Sequence, residues 1–148
     1  MNLKDIHDRW AQAHTQFYSA DPKAELQPML AFIKDEQIFV MVGKFVTDGD
    51  KAQFIKHARE NVRTLKPDAY VFCSETWIGT DPSKRPSEQM DRRKGVLTTV
   101  VASNGEKLAS IMEINRDWTT GDKVLSEVAM MEGDHVSGTF AELFDAEA

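Results

Sequence analysis

The stretch G-V-L-T-T-V-V-A-S-N-G-E-K-L-A-S-I-M-E-I-N, Gly95 to Asn115, decides the fold. Gly95 to Ala102 and Lys107 to Asn115 are rich in β-branched and apolar residues, and S-N-G-E, Ser103 to Glu106, separates them. Asn-Gly between two such runs is the strongest short-range hairpin signal, because both turn positions favour positive φ. Two antiparallel strands are therefore expected here. Upstream, Tyr70 to Ile78 reads as another strand, and Gly79 to Arg93 as a long polar loop. Downstream, Thr119 to Asp122 reads as a turn, and Val124 to Met131 as a last strand that Glu127 interrupts.

The front half supplies helices and a second hairpin. Leu3, Ile6, Trp10, Ala13 and Phe17 recur at helical spacing, so Met1 to Ser19 is expected to be an amphipathic helix with Asn2 as N-cap. Asp21-Pro22 marks its exit. Met29 to Ile33 and Ile38 to Val46 are expected strands around the turn Lys34 to Gln37. The second of them is apolar on both faces, which predicts a central strand covered on both sides. Lys51 to Leu65 follows as a helix with Phe54, Ile55, Ala58, Val62 and Leu65 on its buried stripe and a capping-box-like Asp50 and Gln53 before it. Phe140, Leu143 and Phe144 suggest a short final helix before an acidic tail. The order α-β-β-α-β-β-β-β-α predicts one α+β domain over residues 1–148, a mostly antiparallel sheet of about six strands with helices against it.

Bulk properties narrow the function classes. A chain of 148 residues with 41% hydrophobic and 28% charged residues fits one soluble domain. A net charge of -6 argues against general nucleic-acid affinity and against a polybasic membrane contact. The lone cysteine, Cys73, makes no internal disulfide, and no signal pattern or membrane-length apolar run occurs, so a cytoplasmic protein is expected.

A strand that feeds a long charged loop is a common way to present functional groups. The loop, 79–95, carries Lys84, Arg85, Arg92, Arg93 and Lys94 against Asp81, Glu88 and Asp91. It is mildly basic inside an acidic protein, which suits an anion or an acidic partner. The alternative is a solvated connection whose charges pair among themselves, at about 0–1 kcal/mol each. Glu75 alternates with Cys73 and Trp77 on one face of its strand. If buried there it is a candidate general acid or base. With Glu113 and Glu127 on neighbouring strands it would form a carboxylate cluster. The alternatives are wet positions near strand ends, or an ion pair between Glu75 and a loop arginine that pins the loop to the sheet. Trp10, Trp77 and Trp118 are core anchors or contact residues, Trp118 standing at a turn.

Other chemistry lacks support. Cys73 has no base in motif reach and reads as a core thiol. His7 and His14 lie two turns apart, about 10 Å along a helix, too far to chelate one metal directly. His57 and His135 stand in no motif either, and no zinc, calcium, nucleotide or hydrolase signature occurs. No cofactor and no metal are expected.

Ser74-Glu75-Thr76-Trp77, then Arg85-Pro86-Ser87-Glu88, then Asp91-Arg92-Arg93 before the strand Val96 to Val101 resembles a pattern of small bacterial and phage proteins. That pattern runs S-E-[AT]-W, a variable loop, P-S-E, a spacer and D-R-[RK]-E. Lys94-Gly95 departs from it by lacking the acidic residue after the basic pair. The resemblance covers roughly the middle fifth of the chain and implies no activity. It directs attention to Glu75, Trp77, Arg85, Ser87, Glu88, Asp91 and Arg92 as one unit, with Arg93 alongside. The expectation is a binding or accessory protein, of phage or mobile-element type, whose charged loop meets a protein or a small anionic ligand. The rivals are an enzyme with Glu75 as acid or base and Arg85 or Arg92 holding an anionic substrate, and nucleic-acid contact through 84–94. Self-association through Val124 to Met131, were it a sheet edge, would make a homodimer.

Overall fold

The computed structural model of the chain describes residues 2–21, 23–79, 83, 85, 88–90 and 92–144. Six strands form one antiparallel sheet: β1 (Met29–Lys34), β2 (Gln37–Val42), β3 (Ala69–Ile78), β4 (Arg93–Ala102), β5 (Lys107–Arg116) and β6 (Lys123–Glu132). Their spatial order is β2-β1-β3-β4-β5-β6. Helices α1 (Leu3–Ala20) and α2 (Asp48–Leu65) complete the α+β architecture. The expected final helix is instead two short 3-10 turns, Gly133–His135 and Thr139–Ala141. The acidic tail, 145–148, lies outside the described residues.

Sequence chemistry explains each boundary. Asn2 caps α1 by accepting from the Lys4 N–H at 2.8 Å. Thr47 caps α2, and Asp50 completes the capping box from inside the helix, so the box begins three residues before the expected one. The hairpins form where expected, but the pair of positive φ angles expected at Asn-Gly occurs in the other turn. Positive φ at both central positions occurs at Asp35 and Glu36 (48° and 66°), whereas only Gly105 is positive (95°) in the Asn-Gly turn. There a hydrogen bond from the Gly105 N–H to the Ala102 carbonyl closes a tight turn, and Gly105 alone supplies the left-handed residue.

Both sheet faces are covered, by different elements. On one face Leu30, Phe32, Tyr70, Phe72 and Val101 pack with Phe54, Ala58 and Val62 of α2 and with Leu143. Phe140 stacks on Phe72, ring centroids 3.8 Å apart, and the Tyr70 hydroxyl donates to the Phe140 carbonyl at 2.7 Å. The Thr139–Ala141 turn is thus pinned beside α2. On the other face Ala31, Val71, Cys73, Val100 and Leu108 pack with Leu3, Ile6 and Trp10 of α1 and with Leu26.

Two expectations are corrected here. Leu3, Ile6 and Trp10 of the expected α1 stripe pack on the sheet, but Ala13 and Phe17 are exposed, and the most buried residues of the helix are Leu3, His7, His14 and Tyr18. Ser110 on β5 partners His7 and Glu75 on β3 partners Tyr18, whereas His14 is buried without a hydrogen-bond partner among the described residues. Strand β2 is not central. It is the sheet edge, and Ile38, Phe39, Val40 and Val42 are all exposed. Apolarity on both faces signals cover only when a neighbouring strand or helix exists to supply it. On the α1 face the row Ile38, Val40 and Val42 is left exposed.

Candidate functional site

The site grows from the alternation of β3. Cys73, Glu75 and Trp77 point to the α1 face, and Cys73 sits opposite Thr98, Glu75 opposite Val96, and Trp77 opposite Lys94. Cys73 is fully buried and burial pushes its thiol up to about 12, so it is a core residue. Two residues on, the sheet emerges from beneath α1, and Glu75 stands at the border with its side chain 13% exposed.

Both carboxylate oxygens of Glu75 are engaged. Oε2 accepts from the Tyr18 hydroxyl at 2.5 Å and from the Leu26 N–H at 2.8 Å. Oε1 meets Lys94 Nζ at 2.9 Å. Burial pushes the carboxyl up, but these hydrogen bonds and the Lys94 charge outweigh it and hold Glu75 below the usual carboxylate range. Burial, with the neighbouring Glu75 charge, raises the Tyr18 phenol. Glu75 therefore ties the end of α1, the segment after it and β4 to β3. Lys123 reinforces the tie, its ammonium 5.4 Å from the Tyr18 ring centroid and 3.1 Å from the Ala24 carbonyl.

Beyond this strut the surface opens. Trp77 is 41% exposed, with the Arg92 guanidinium 4.8 Å and the Lys94 ammonium 5.9 Å from its ring centroid. Arg92 also donates to the Gln89 carbonyl at 3.4 Å. Gln89 is buried with its side-chain amide packed against Gly79, so the end of the loop folds back on the end of β3. Met90, beside it, is wholly exposed, as is Trp118 at 92%. Trp118 lies in the β5–β6 turn, at the same end of the sheet.

Some expected members belong elsewhere. Arg93 points to the opposite face and pairs with Glu113 at 2.8 Å. Register separates the three carboxylates: Glu113 is opposite Gly95 on the α2 face, and Glu127 is reached from Glu75 only across Val96 and Met112. That is three strand spacings, about 14 Å. No metal-holding group of His, Cys, Asp and Glu occurs among the described residues. The cation on Glu75 is Lys94, a residue of β4, rather than a loop arginine. Arg85 and Glu88 are exposed, and the Glu88 N–H donates to the Arg85 carbonyl at 3.0 Å. Ser87 and Asp91, with Asp81, Lys84 and Pro86, lie outside the described residues.

Sequence reasoning missed Tyr18, Leu26 and Lys123. Tyr18 follows His14 by four and His7 by eleven, so the polar stripe of α1 was available as a signal. Leu26 contributes a main-chain N–H, which no side-chain pattern reveals. Under α1, His7 Nε2 lies 2.5 Å from Ser110 Oγ, while neither ring nitrogen of the buried His14 has a partner among the described residues. Burial, and then the His7 charge, lower His14 to about 4.

No family model, curated protein or solved structure matches the chain. Among the described residues no helix is long and apolar enough to cross a membrane.

Proposed function

We propose that the chain is a cytoplasmic, non-enzymatic binding or accessory protein of phage or mobile-element type. Its contact surface is the corner formed by Trp77, Arg92 and Lys94, and its partner presents carboxylates from a protein. One observation carries this reading: Glu75 is consumed as a strut while the Trp77 indole, flanked by two cations, faces outward. Arg and Trp are the residue types that dominate binding energy at interfaces, and Met90 in the same loop and Trp118 at the same end of the sheet are exposed residues of types enriched there. Arg92 has no carboxylate within ion-pair distance among the described residues, so its guanidinium is available to a bidentate acidic group.

The enzymatic alternative fares worse. A general base at neutral pH needs an open lone pair and a raised pKa. Glu75 has its oxygens engaged and its pKa held down. Nucleic-acid contact through 84–94 is weakened because Glu113 and Glu75 already neutralise Arg93 and Lys94.

The test is an NMR titration that follows the Trp77 indole N–H, assigned with Trp77→Phe. A polyglutamate peptide, inorganic phosphate and a single-stranded oligonucleotide serve as probes. Saturable shifts with the peptide, lost in Arg92→Glu, are expected. An unmoved indole resonance with the peptide, or a response only to the oligonucleotide, overturns the reading.

A further inference from the structure

Strand β2 is an edge of the sheet, remote in sequence from Trp77 and Arg92. Proteins usually blunt a sheet edge with lysine, proline, a bulge or a covering loop. The opposite edge, β6, is blunted in this way: Lys123, Glu127 and Glu132 punctuate it, and its register with β5 slips between Ile111 and Met112. Strand β2 reads Q-I-F-V-M-V, carries no charge or proline, and pairs with β1 in unbroken register. Its Ile38, Val40 and Val42 are 56%, 52% and 64% exposed, a β-branched row on the α1 face.

The backbone shows which groups are open. The Gly43 N–H donates to the Pro28 carbonyl at 2.7 Å, and the Ile33 carbonyl accepts from the Asp68 N–H at 2.8 Å. Ile33 therefore turns its main chain away from its partner Ile38. Antiparallel alternation then directs Gln37, Phe39 and Met41 toward β1, and leaves the N–H and C=O of Ile38, Val40 and Val42 at the free edge.

We propose that this edge pairs with β2 of a second copy, antiparallel and centred on Val40, so that two six-stranded sheets become one continuous sheet. The register follows from the residues. Centring on Val40 sets Ile38 opposite Val42 of the second copy and Val40 opposite its own counterpart. All of these are residues with outward main-chain groups, and all lie on one face. The two exposed β-branched rows then form a single apolar patch. The same register sets Glu36 of each copy opposite Lys44 of the other, an opposite-charge pair at both ends of the ladder. Both residues are exposed, and neither has an ion-pair partner among the described residues. A shift by one residue would place apolar side chains on opposite faces and break both charge pairs. A two-fold axis makes the contact self-complementary and closed, which argues for a dimer rather than a fibre.

Sedimentation equilibrium of the full chain over a micromolar concentration series tests this. The 16.7 kDa chain is expected to reach twice its mass. Val40→Lys, which sets two ammonium groups against each other on the axis, is expected to give the monomer with an unchanged circular dichroism spectrum. Val124→Lys on the opposite edge should leave the dimer intact. Glu36→Lys and Lys44→Glu should each weaken dimerisation by about tenfold or more, and the double variant should restore it. A monomer at every concentration, a dimer that survives Val40→Lys, or charge reversals without effect would each overturn the proposal.

Discussion

Replacing Glu75 by alanine tests the strut directly. The substitution leaves the Tyr18 O–H and the Leu26 N–H without their acceptor, and Lys94 without its partner. A stranded buried donor costs about 1–3 kcal/mol. Lys94 is 41% exposed and rehydrates, so its loss adds less than about 1 kcal/mol. The expected total is about 3 kcal/mol, and for a chain of this size that lowers Tm by roughly 6–12 °C. Glu75→Gln keeps one carbonyl acceptor and should cost about half as much. Urea denaturation of both variants and of Tyr18→Phe, combined in a double-mutant cycle, should give a Glu75–Tyr18 coupling of about 1 kcal/mol or more.

The pH dependence of this strut has a defined sign. Native Glu75 titrates below its ordinary unfolded value of about 4.3. Its contribution is therefore whole above about pH 4.3 and disappears as pH falls through the lower native pKa. The stability gap between wild type and Glu75→Gln should be level from neutral pH down to about 5, and close in more acid solution. Glu75→Ala within about 0.5 kcal/mol of wild type, the range of ordinary surface substitutions, would refute the reasoning.

Two further outcomes are expected. His14 is buried with unpartnered ring nitrogens and titrates at about 4, below the ordinary 6.5, so the unfolded chain binds the extra proton between those values. Stability should fall by up to about 3 kcal/mol as pH drops through that window, and His14→Leu, followed by urea denaturation at pH 7 and pH 5, should abolish the fall. Lys66 ends α2 in the left-handed region at φ 47°, where a side chain is strained, so Lys66→Gly should raise stability by about 0.5–1 kcal/mol in thermal melts; a loss would contradict the geometry.

Much of the candidate site was legible as residue types and little of it as partnerships. Alternation along Tyr70 to Ile78 placed Glu75 and Trp77 on one face, and that parity holds across β3, β4 and β5. The same parity, once register is known, separates Glu113 from Glu75 and sends Arg93 to the far side. Lys94 was visible as a charge at the end of the loop. Its role follows only from lying opposite Trp77, within reach of Glu75.

Local pattern alone determined the elements among the described residues: two helices from spacing and caps, six strands from apolar runs between turns, and the antiparallel pairing of β1 with β2, β4 with β5 and β5 with β6 from connections too short to cross over. Those features depend on neighbours a few residues away, which periodicity records. Tertiary structure decided the strand order, the burial of His7, His14 and Tyr18 on α1, and the partners of Glu75. It also set apolar β2 at the rim instead of the centre. Each of these is a contact between segments distant in the chain, and an apolar strand carries no mark of how many neighbours it will find.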